Sequence, residues 1–432
     1  MRFNDRCADR LKRQMARVET LDLETIGRSS GFVRRQARKL DLRAFVKALL
    51  GLVGSGRLTL ATVVKAMRLA GQPSYTPQAL AKRVRWQGAQ FVTAVLEALF
   101  QTQTARVCHP FNRILIQDST TVALPDRYAP LFPGSVNQSA RSLAQVKLQC
   151  IFVLDRLNLC HFSLSGFTRN DQSAAADILP VLQPNDLVVR DLGYFSVPIL
   201  AQIQSHCAHF LSRFHLGTQL YQAQTGTLLD LPKRLKQTGT LDCHILVGET
   251  RFPARLVAVP VPSAVSNRRR RLARRARRWQ PSKKTLALMS WNLFITSVPR
   301  ATLSAKAICE VYRVRWTVEI IFKACKSHLR LENLNVHCES MLRLSILSRM
   351  LFCAMTLDLW SHLEWRHPPQ RHASILRVAR VLADCSALIS CIVFRCSPSQ
   401  LLDHFLNAHA FHPPRRDRMN LSERLQSLCP QN

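Results

Sequence analysis

A chain of 432 residues with 47% hydrophobic content is long enough to bury a large core and has room for two or three domains, so it is no disordered basic tail. Its 61 Lys+Arg against 27 Asp+Glu give a formal net charge of +34, which points to a polyanionic partner, nucleic acid before membrane. The fourteen cysteines form no CxxC pair, which argues against a disulfide framework or a zinc site and suits a reducing, cytoplasmic setting.

The N-terminus MRFNDRCADR has no apolar signal core. Residues 1–110 read as helical, with apolar residues at helical spacing over 21–26, 32–50, 58–69 and 89–99 and cations such as Arg34, Arg35, Arg38 and Lys39 on the polar sides. Thr76 is placed as an N-cap with Pro77 at the first helical position. An ordinary capped surface helix is favoured there, and a recognition helix of helix-turn-helix type is the alternative. We expect a DNA-binding region in 1–110.

The pattern changes to strands at RILIQDSTTV (113–122), followed by strands at 145–154 and 159–167 joined by the turn Asp155-Arg-Leu-Asn. These suit an antiparallel meander. A helix at 172–182, a short buried strand DLVVR (186–190), a helix at 197–207 and a strand at 209–216 complete the order βββαβαβ, a mixed sheet with helices on its faces. Residues 217–290 break this order and read as an inserted, β-rich subdomain. It ends in a run with eight arginines between positions 268 and 278: Arg268, Arg269, Arg270, Arg271, Arg274, Arg275, Arg277 and Arg278. The run is expected along DNA, with a solvated helix as the alternative. A strand returns at 291–298, and one long helix is expected from Leu303 to about Arg330. Residues 346–432 read as a helical C-terminal region with a basic tail. Its most apolar run, Ile346 to Trp360, is interrupted by Arg349 and Asp358 and reads as too short and too polar to span a bilayer.

Three acids stand out by position. Asp118 ends the first strand, Asp191 follows the fourth, and Glu319 lies on the long helix, where Tyr312, Arg315, Lys323 and Lys326 share its face. Strand ends are where sites gather in α/β folds. Three converging carboxylates could hold two Mg²⁺ ions for phosphoryl transfer. Each also has a plain structural alternative: a turn cap with Ser119 and Thr120 for Asp118, an Asx-turn to Gly193 for Asp191, and an i,i+4 ion pair for Glu319.

QDSTT, RDLGYFS and the series Tyr312–Arg315–Glu319–Lys326, spaced by two, three and six residues, resemble the signatures of DDE transposases of the insertion-sequence-four family. Leu192 departs from that family's usual Asp-Arg-Gly-Tyr. The resemblance covers roughly residues 110–345. It implies a ribonuclease H-like α/β core (111–216 and 291–345) interrupted by the insertion at 217–290. It also implies a catalytic and metal-binding triad of Asp118, Asp191 and Glu319, with Mg²⁺ as cofactor and Mn²⁺ as a substitute. Tyr312, Arg315, Lys326 and Lys323 are then expected on DNA phosphates, and Trp291 as an aromatic platform for a flipped base or, alternatively, a core residue. The implied activity is cleavage at terminal inverted repeats and joining of the 3′ ends to target DNA through a hairpin, by a dimer or higher assembly. A catalytically silent DNA-binding protein and a metal-dependent nuclease are the rival readings.

Overall fold

The computed structural model describes residues 7–33, 40–52, 58–72, 75–100, 109–135, 143–275, 280–332, 334, 338–366, 372–393 and 411–412. Arg34, Arg35, Arg38, Lys39, Arg277, Arg278 and the tail beyond His412 lie outside the described residues.

Nine strands form one mixed sheet: β1 Ile114–Leu124, β2 Ala144–Val153, β3 Asn158–Gly166, β4 Leu187–Arg190, β5 His209–Arg213, β6 Leu220–Gln222, β7 Leu241–Val247, β8 Phe252–Pro260 and β9 Trp291–Thr296. Their order is β3-β2-β1-β4-β5-β9-β8-β7-β6. β1, β2 and β3 form the expected antiparallel meander, and β4 and β5 run parallel to β1. Leu157 makes the tight turn between β2 and β3 at φ 48°. The strands within 217–290 add to the far edge of this same sheet, because β8 pairs antiparallel with the returning β9. They do not make a second sheet.

Side chains alternate across a strand, so each strand feeds two cores. Ile114, Ile116, Leu187, Val189, Leu211, Val257 and Phe294 enter one core. Leu115, Val188, Phe210, Leu256, Leu293 and Ile295 enter the other. The first core is covered by most of the helices. These include α1 Cys7–Thr20, α2 Leu23–Ser29, α3 Leu42–Leu52, α4 Leu60–Leu69, α5 Pro77–Arg83 and α6 Trp86–Phe100 from the N-terminal region. The second face carries α7 Val197–Ser205 and α8 Leu231–Thr238. The segment expected as a helix at 172–182 is a 3₁₀ helix, Ala175–Val181, with Pro180 inside it. Thr76 caps α5 as anticipated, its hydroxyl accepting from Ala79 N at 3.1 Å, with Pro77 in the first turn.

The insertion ends in α9 Ser263–Arg275 and α10 Lys283–Leu288. The helix expected as one piece from Leu303 is two, α11 Ala305–Val314 and α12 Trp316–Ser327, joined at Arg315. There the ladder tightens to i→i+3 bonds, Arg315 N to Tyr312 O at 3.2 Å and Val318 N to Arg315 O at 3.0 Å. Ser304 starts α11 by accepting from Ala307 N.

The C-terminal region supplies α13 Glu339–Arg366, α14 Ile375–Asp384 and α15 Ser386–Val393. The apolar run 346–360 therefore belongs to a 28-residue helix. By length and composition its Glu339–Glu364 stretch could cross a membrane, contrary to the expectation that it is too short and polar, yet 83% of its most apolar window is buried inside the protein. Arg349 and Asp358 are satisfied internally: Arg349 donates to the carbonyls of Arg330 and Ser345, and Asp358 receives Arg10 and Gln14 of α1. A second buried pair, Arg113 Nε to Asp186 Oδ1 at 3.0 Å, ties the start of β1 to the turn before β4. Because those two strands carry the acids described next, this pair fixes their relative height.

Candidate active site where β1 and β4 part

β1 and β4 pair in parallel through Gln117 and Arg190, their last matched residues. Asp118 follows on β1, which runs on through six more residues to Leu124 against β2, so it lies mid-strand and not at the strand's end as expected; Asp191 is the first residue past β4. Their neighbours two back, Ile116 and Val189, both enter the core beneath α11 and α12, so the alternation turns both acids toward those helices. Gln117 and Arg190 turn to the opposite face, where Arg190 donates to the Gln117 side chain and to the Ala175 carbonyl. Arg190 is fully buried, and burial pulls its guanidinium down to about 10.

α12 closes the site from above. Val318, Ile321, Phe322 and Cys325 make its buried face, with Phe322 edge-on to Phe152 at 5.7 Å between centroids. This seating places Glu319 beside the two aspartates. Tyr312, at the end of α11, packs on Phe294 at 4.8 Å and donates its hydroxyl to Asp191 Oδ1 at 3.1 Å. Burial first, and then the Asp191 charge, raise that phenol.

Arg315 is the centre of the arrangement. Its Nη1 donates to Asp118 Oδ2 at 3.1 Å, its Nη2 to Glu319 Oε1 at 2.6 Å, and its Nε lies 4.0 Å from Asp191 Oδ1. The side chain is only 7% exposed. Burial alone would lower its pKa, but Asp191, Tyr312, Glu319 and Asp118 outweigh burial and raise it. Asp118 is pushed up to about 6, chiefly by burial; Ser119 N–H and Arg315 oppose this, while Asp191 and Glu319 add to it.

The three acids read from the sequence are thus brought together, and Tyr312 and Arg315 join them as their buried partners. Tyr312 and Arg315, expected on DNA phosphates, are buried here and donate to the carboxylates. Glu319 makes its i,i+4 pair with Arg315, as its structural alternative foresaw, and Asp118 accepts from Ser119 N at 2.8 Å. The Asx-turn is absent, since the Asp191 side chain caps no backbone N–H. Lys323 is exposed and Lys326 half-buried on α12.

Trp291 is held elsewhere. It is partly buried against the second core, and its Nε1 donates to Gly239 O at 2.7 Å. The arginine run divides in two. Arg269 donates to the carbonyls of Met289 and Trp291 and to Asn292 Oδ1, and Arg270 to Leu286 O and Ser290 Oγ. Arg268, Arg271, Arg274 and Arg275 are exposed.

Sequence reasoning passed over several residues. Asp171 receives Ser119 Oγ at 2.7 Å and Lys147 Nζ at 2.7 Å, and it lies so close to Gly193 that a Cβ there would sit 3.1 Å from its Oδ2. Burial opposes its ionisation, but Lys147, Ser119 and Gln149 win and lower its pKa. No motif marks it, because it lies in a loop. Arg213, at the end of β5 on the same face as the acids, is half-buried and has no carboxylate partner among the described residues. Its charge is felt at both Tyr312 and Arg269. Trp316 is 57% exposed, with the Arg315 Cζ 5.5 Å from its ring.

As a donor set, three carboxylates suit a hard divalent cation such as Mg²⁺ or Mn²⁺. The chemistry fits, and all three reach one guanidinium. Among the described residues, however, no three His, Cys, Asp or Glu side chains are grouped so as to hold a metal ion, and Arg315 stands among these three acids.

A family profile described as "Transposase DDE domain" matches residues 109–357. The chain is 24% identical over 337 residues to the transposase for insertion sequence element IS231B of Bacillus thuringiensis subsp. berliner, a match covering 71% of this chain and 70% of that one. It is also 24% identical over 357 residues to InsL of insertion sequence element IS186A from Escherichia coli (strain K12), covering 78% and 90%. Among solved structures it is similar to a chain of a piggyBac transposase synaptic complex with hairpin DNA, at a TM-score of 0.41 and 11% identity over 95% of this chain and 85% of that one.

Proposed function

Since this chain belongs to the transposase DDE-domain family and is an insertion-sequence transposase, an enzyme that cleaves and transfers DNA strands, we propose that Asp118, Asp191 and Glu319 are its catalytic carboxylates. The observation that carries this reading is their convergence on Arg315 from β1, β4 and α12, with 197 positions between Asp118 and Arg315. Structural capping alone gives no reason for three acids so far apart in sequence to meet at one strand edge. The unbroken Tyr312–Arg315–Glu319–Lys326 spacing supports membership of the insertion-sequence-four family.

The three carboxylates would hold a divalent cation, Mg²⁺ with Mn²⁺ as a substitute, which would stabilise the charge developing on the scissile phosphate and the departing oxygen. The chain's own residues do the rest. Lys323, Lys326 and Arg213 hold backbone phosphates beside the acids. The exposed arginines of α9 and residues 1–110 supply salt-sensitive affinity along the duplex. The reaction cuts at terminal inverted repeats and joins the 3′ ends to target DNA, with a hairpin between, on an assembly of at least two chains.

The test incubates the purified chain with a duplex carrying the element's own ends, with and without Mg²⁺. Cleavage at the ends followed by joining to a target supports the reading. Hydrolysis without joining would mean a nuclease.

A further inference from the structure

Among the described residues, each of the other buried arginines has at least one backbone carbonyl partner. Arg113 donates to Val181 O, Arg255 to Val298 O and Leu303 O, and Arg349 to Arg330 O and Ser345 O. Carbonyls are permanent partners, and such an arginine stays where it is. Arg315 differs, because its side chain donates to carboxylates alone. Its Nε is buried with no hydrogen-bond partner at all. Its hydrogen bonds all go to negative charge that another cation could take over; besides these, the Tyr312 and Trp316 rings lie 6.0 and 5.5 Å from its Cζ.

The position it occupies is the one a cation would need. Asp118, Asp191 and Glu319 surround it, at 3.1, 4.0 and 2.6 Å, and in this arrangement they are not grouped so as to hold a metal ion. An arginine does not leave by deprotonating near neutral pH. A divalent cation must therefore compete with it for the same oxygens, and the guanidinium must move for the metal to enter. The Trp316 ring, already 5.5 Å from the Cζ, is exposed and leads outward, and Arg315 stands at the tightened junction of α11 and α12. A guanidinium turned outward over that ring would face solvent, where a DNA phosphate could hold it.

We infer that Arg315 is a positioning residue that keeps the carboxylates closed to metal until a DNA phosphate draws it out, so that metal affinity and DNA affinity are coupled. The inference rests on the reading of the three acids as the metal site. Coupling of this kind is reciprocal: the factor by which DNA raises metal affinity is the factor by which metal raises DNA affinity, ordinarily about 5–150-fold.

The test measures Mn²⁺ binding to the full chain by electron paramagnetic resonance of free Mn²⁺. Three samples are compared: wild type alone, wild type with a 5′-phosphorylated duplex of the element's end, and Arg315→Gln alone. Wild type alone should bind Mn²⁺ at least about ten-fold more weakly than its DNA complex. Arg315→Gln alone should match the DNA complex, and DNA should add little to it. Equal affinity of wild type with and without DNA overturns the inference, as does a folded Arg315→Gln no tighter than wild type alone. A variant that fails to fold, as seen by circular dichroism, leaves the two wild-type samples, which decide by themselves. DNA cleavage separates the two readings. If wild type cuts the duplex but its metal affinity ignores DNA, only the inference fails. If it neither cuts nor binds Mn²⁺ in any sample, the carboxylate reading fails and takes the inference with it.

Discussion

Asp118 and Asp191 stand side by side, each one residue past the last matched pair of two parallel strands. Neighbouring strands lie about 4.8 Å apart, so the two carboxylates start from backbones at that separation and reach the same side of the sheet. Glu319 comes down on them from α12.

The proposed carboxylate site requires each of its three acids. Asp118→Asn, Asp191→Asn and Glu319→Gln keep side-chain shape and remove charge. Each should lower end cleavage on the order of 10³-fold, the several kcal/mol of charge stabilisation such a site supplies. Binding to end DNA, measured by gel shift, should change little, because affinity comes mainly from cations on phosphates. Cleavage at the wild-type rate by any one variant would remove that residue from the site.

The two classes of arginine on α9 should behave differently. Replacing Arg268, Arg271, Arg274 and Arg275 with Gln should flatten the salt dependence of DNA affinity, by roughly 0.9 log unit of slope for each lost duplex-phosphate contact. Thermal stability should be nearly unchanged, since these side chains are exposed. Arg269→Gln and Arg270→Gln should do the reverse, lowering the melting temperature by releasing Met289, Trp291 and Ser290 while leaving the slope alone. Identical behaviour of the two sets would contradict the division seen here.

Asp118 should leave a mark on stability against pH. Its folded value of about 6 lies above the ordinary 3.8, so its contribution is fully present below 3.8 and is lost as pH rises through about 6. The change is on the order of 3 kcal/mol. Urea unfolding in a chelating buffer between pH 4 and 7 should show this fall for wild type and lose it in Asp118→Asn. A wild-type slope that survives the substitution assigns the effect to another group.

The proposed hairpin step can be tested apart from the first nick. Lys326 lies two turns beyond Glu319 on α12, and its proposed role is to hold a displaced phosphate. Lys326→Ala should permit the nick and block the hairpin on a gel that resolves both. Trp291 is anchored through Gly239 O, so Trp291→Ala tests packing as well as stacking. Trp291→Phe keeps a ring and drops that bond. If Phe restores the hairpin and Ala does not, the ring is a platform, since stacking on a base supplies about 1–3 kcal/mol. If neither variant affects the hairpin more than the nick, Trp291 is a core residue.

Much of this was legible in the sequence. The alternation in ILIQD and LVVRD sends Ile116 and Asp118, and Val189 and Asp191, to one face, because a strand repeats every two residues whatever surrounds it. The helical spacing that sets Tyr312, Arg315 and Glu319 on one side of α11 and α12 is equally local, as is the cap at Thr76. Periodicity states which face a side chain is on. It does not state what stands opposite. That Arg315 meets Asp118 across 197 positions, that Tyr312 bonds Asp191 across 121, and that Arg269 turns inward while Arg268 does not are outcomes of how distant segments pack. The strands within 217–290 looked separate because Gly, Pro and Thr interrupt them; they join the main sheet because β9 offers them an edge, and an edge is a property of the assembled sheet. A charged side chain has the same local signature facing water or facing a carboxylate, and only the tertiary structure decides between them.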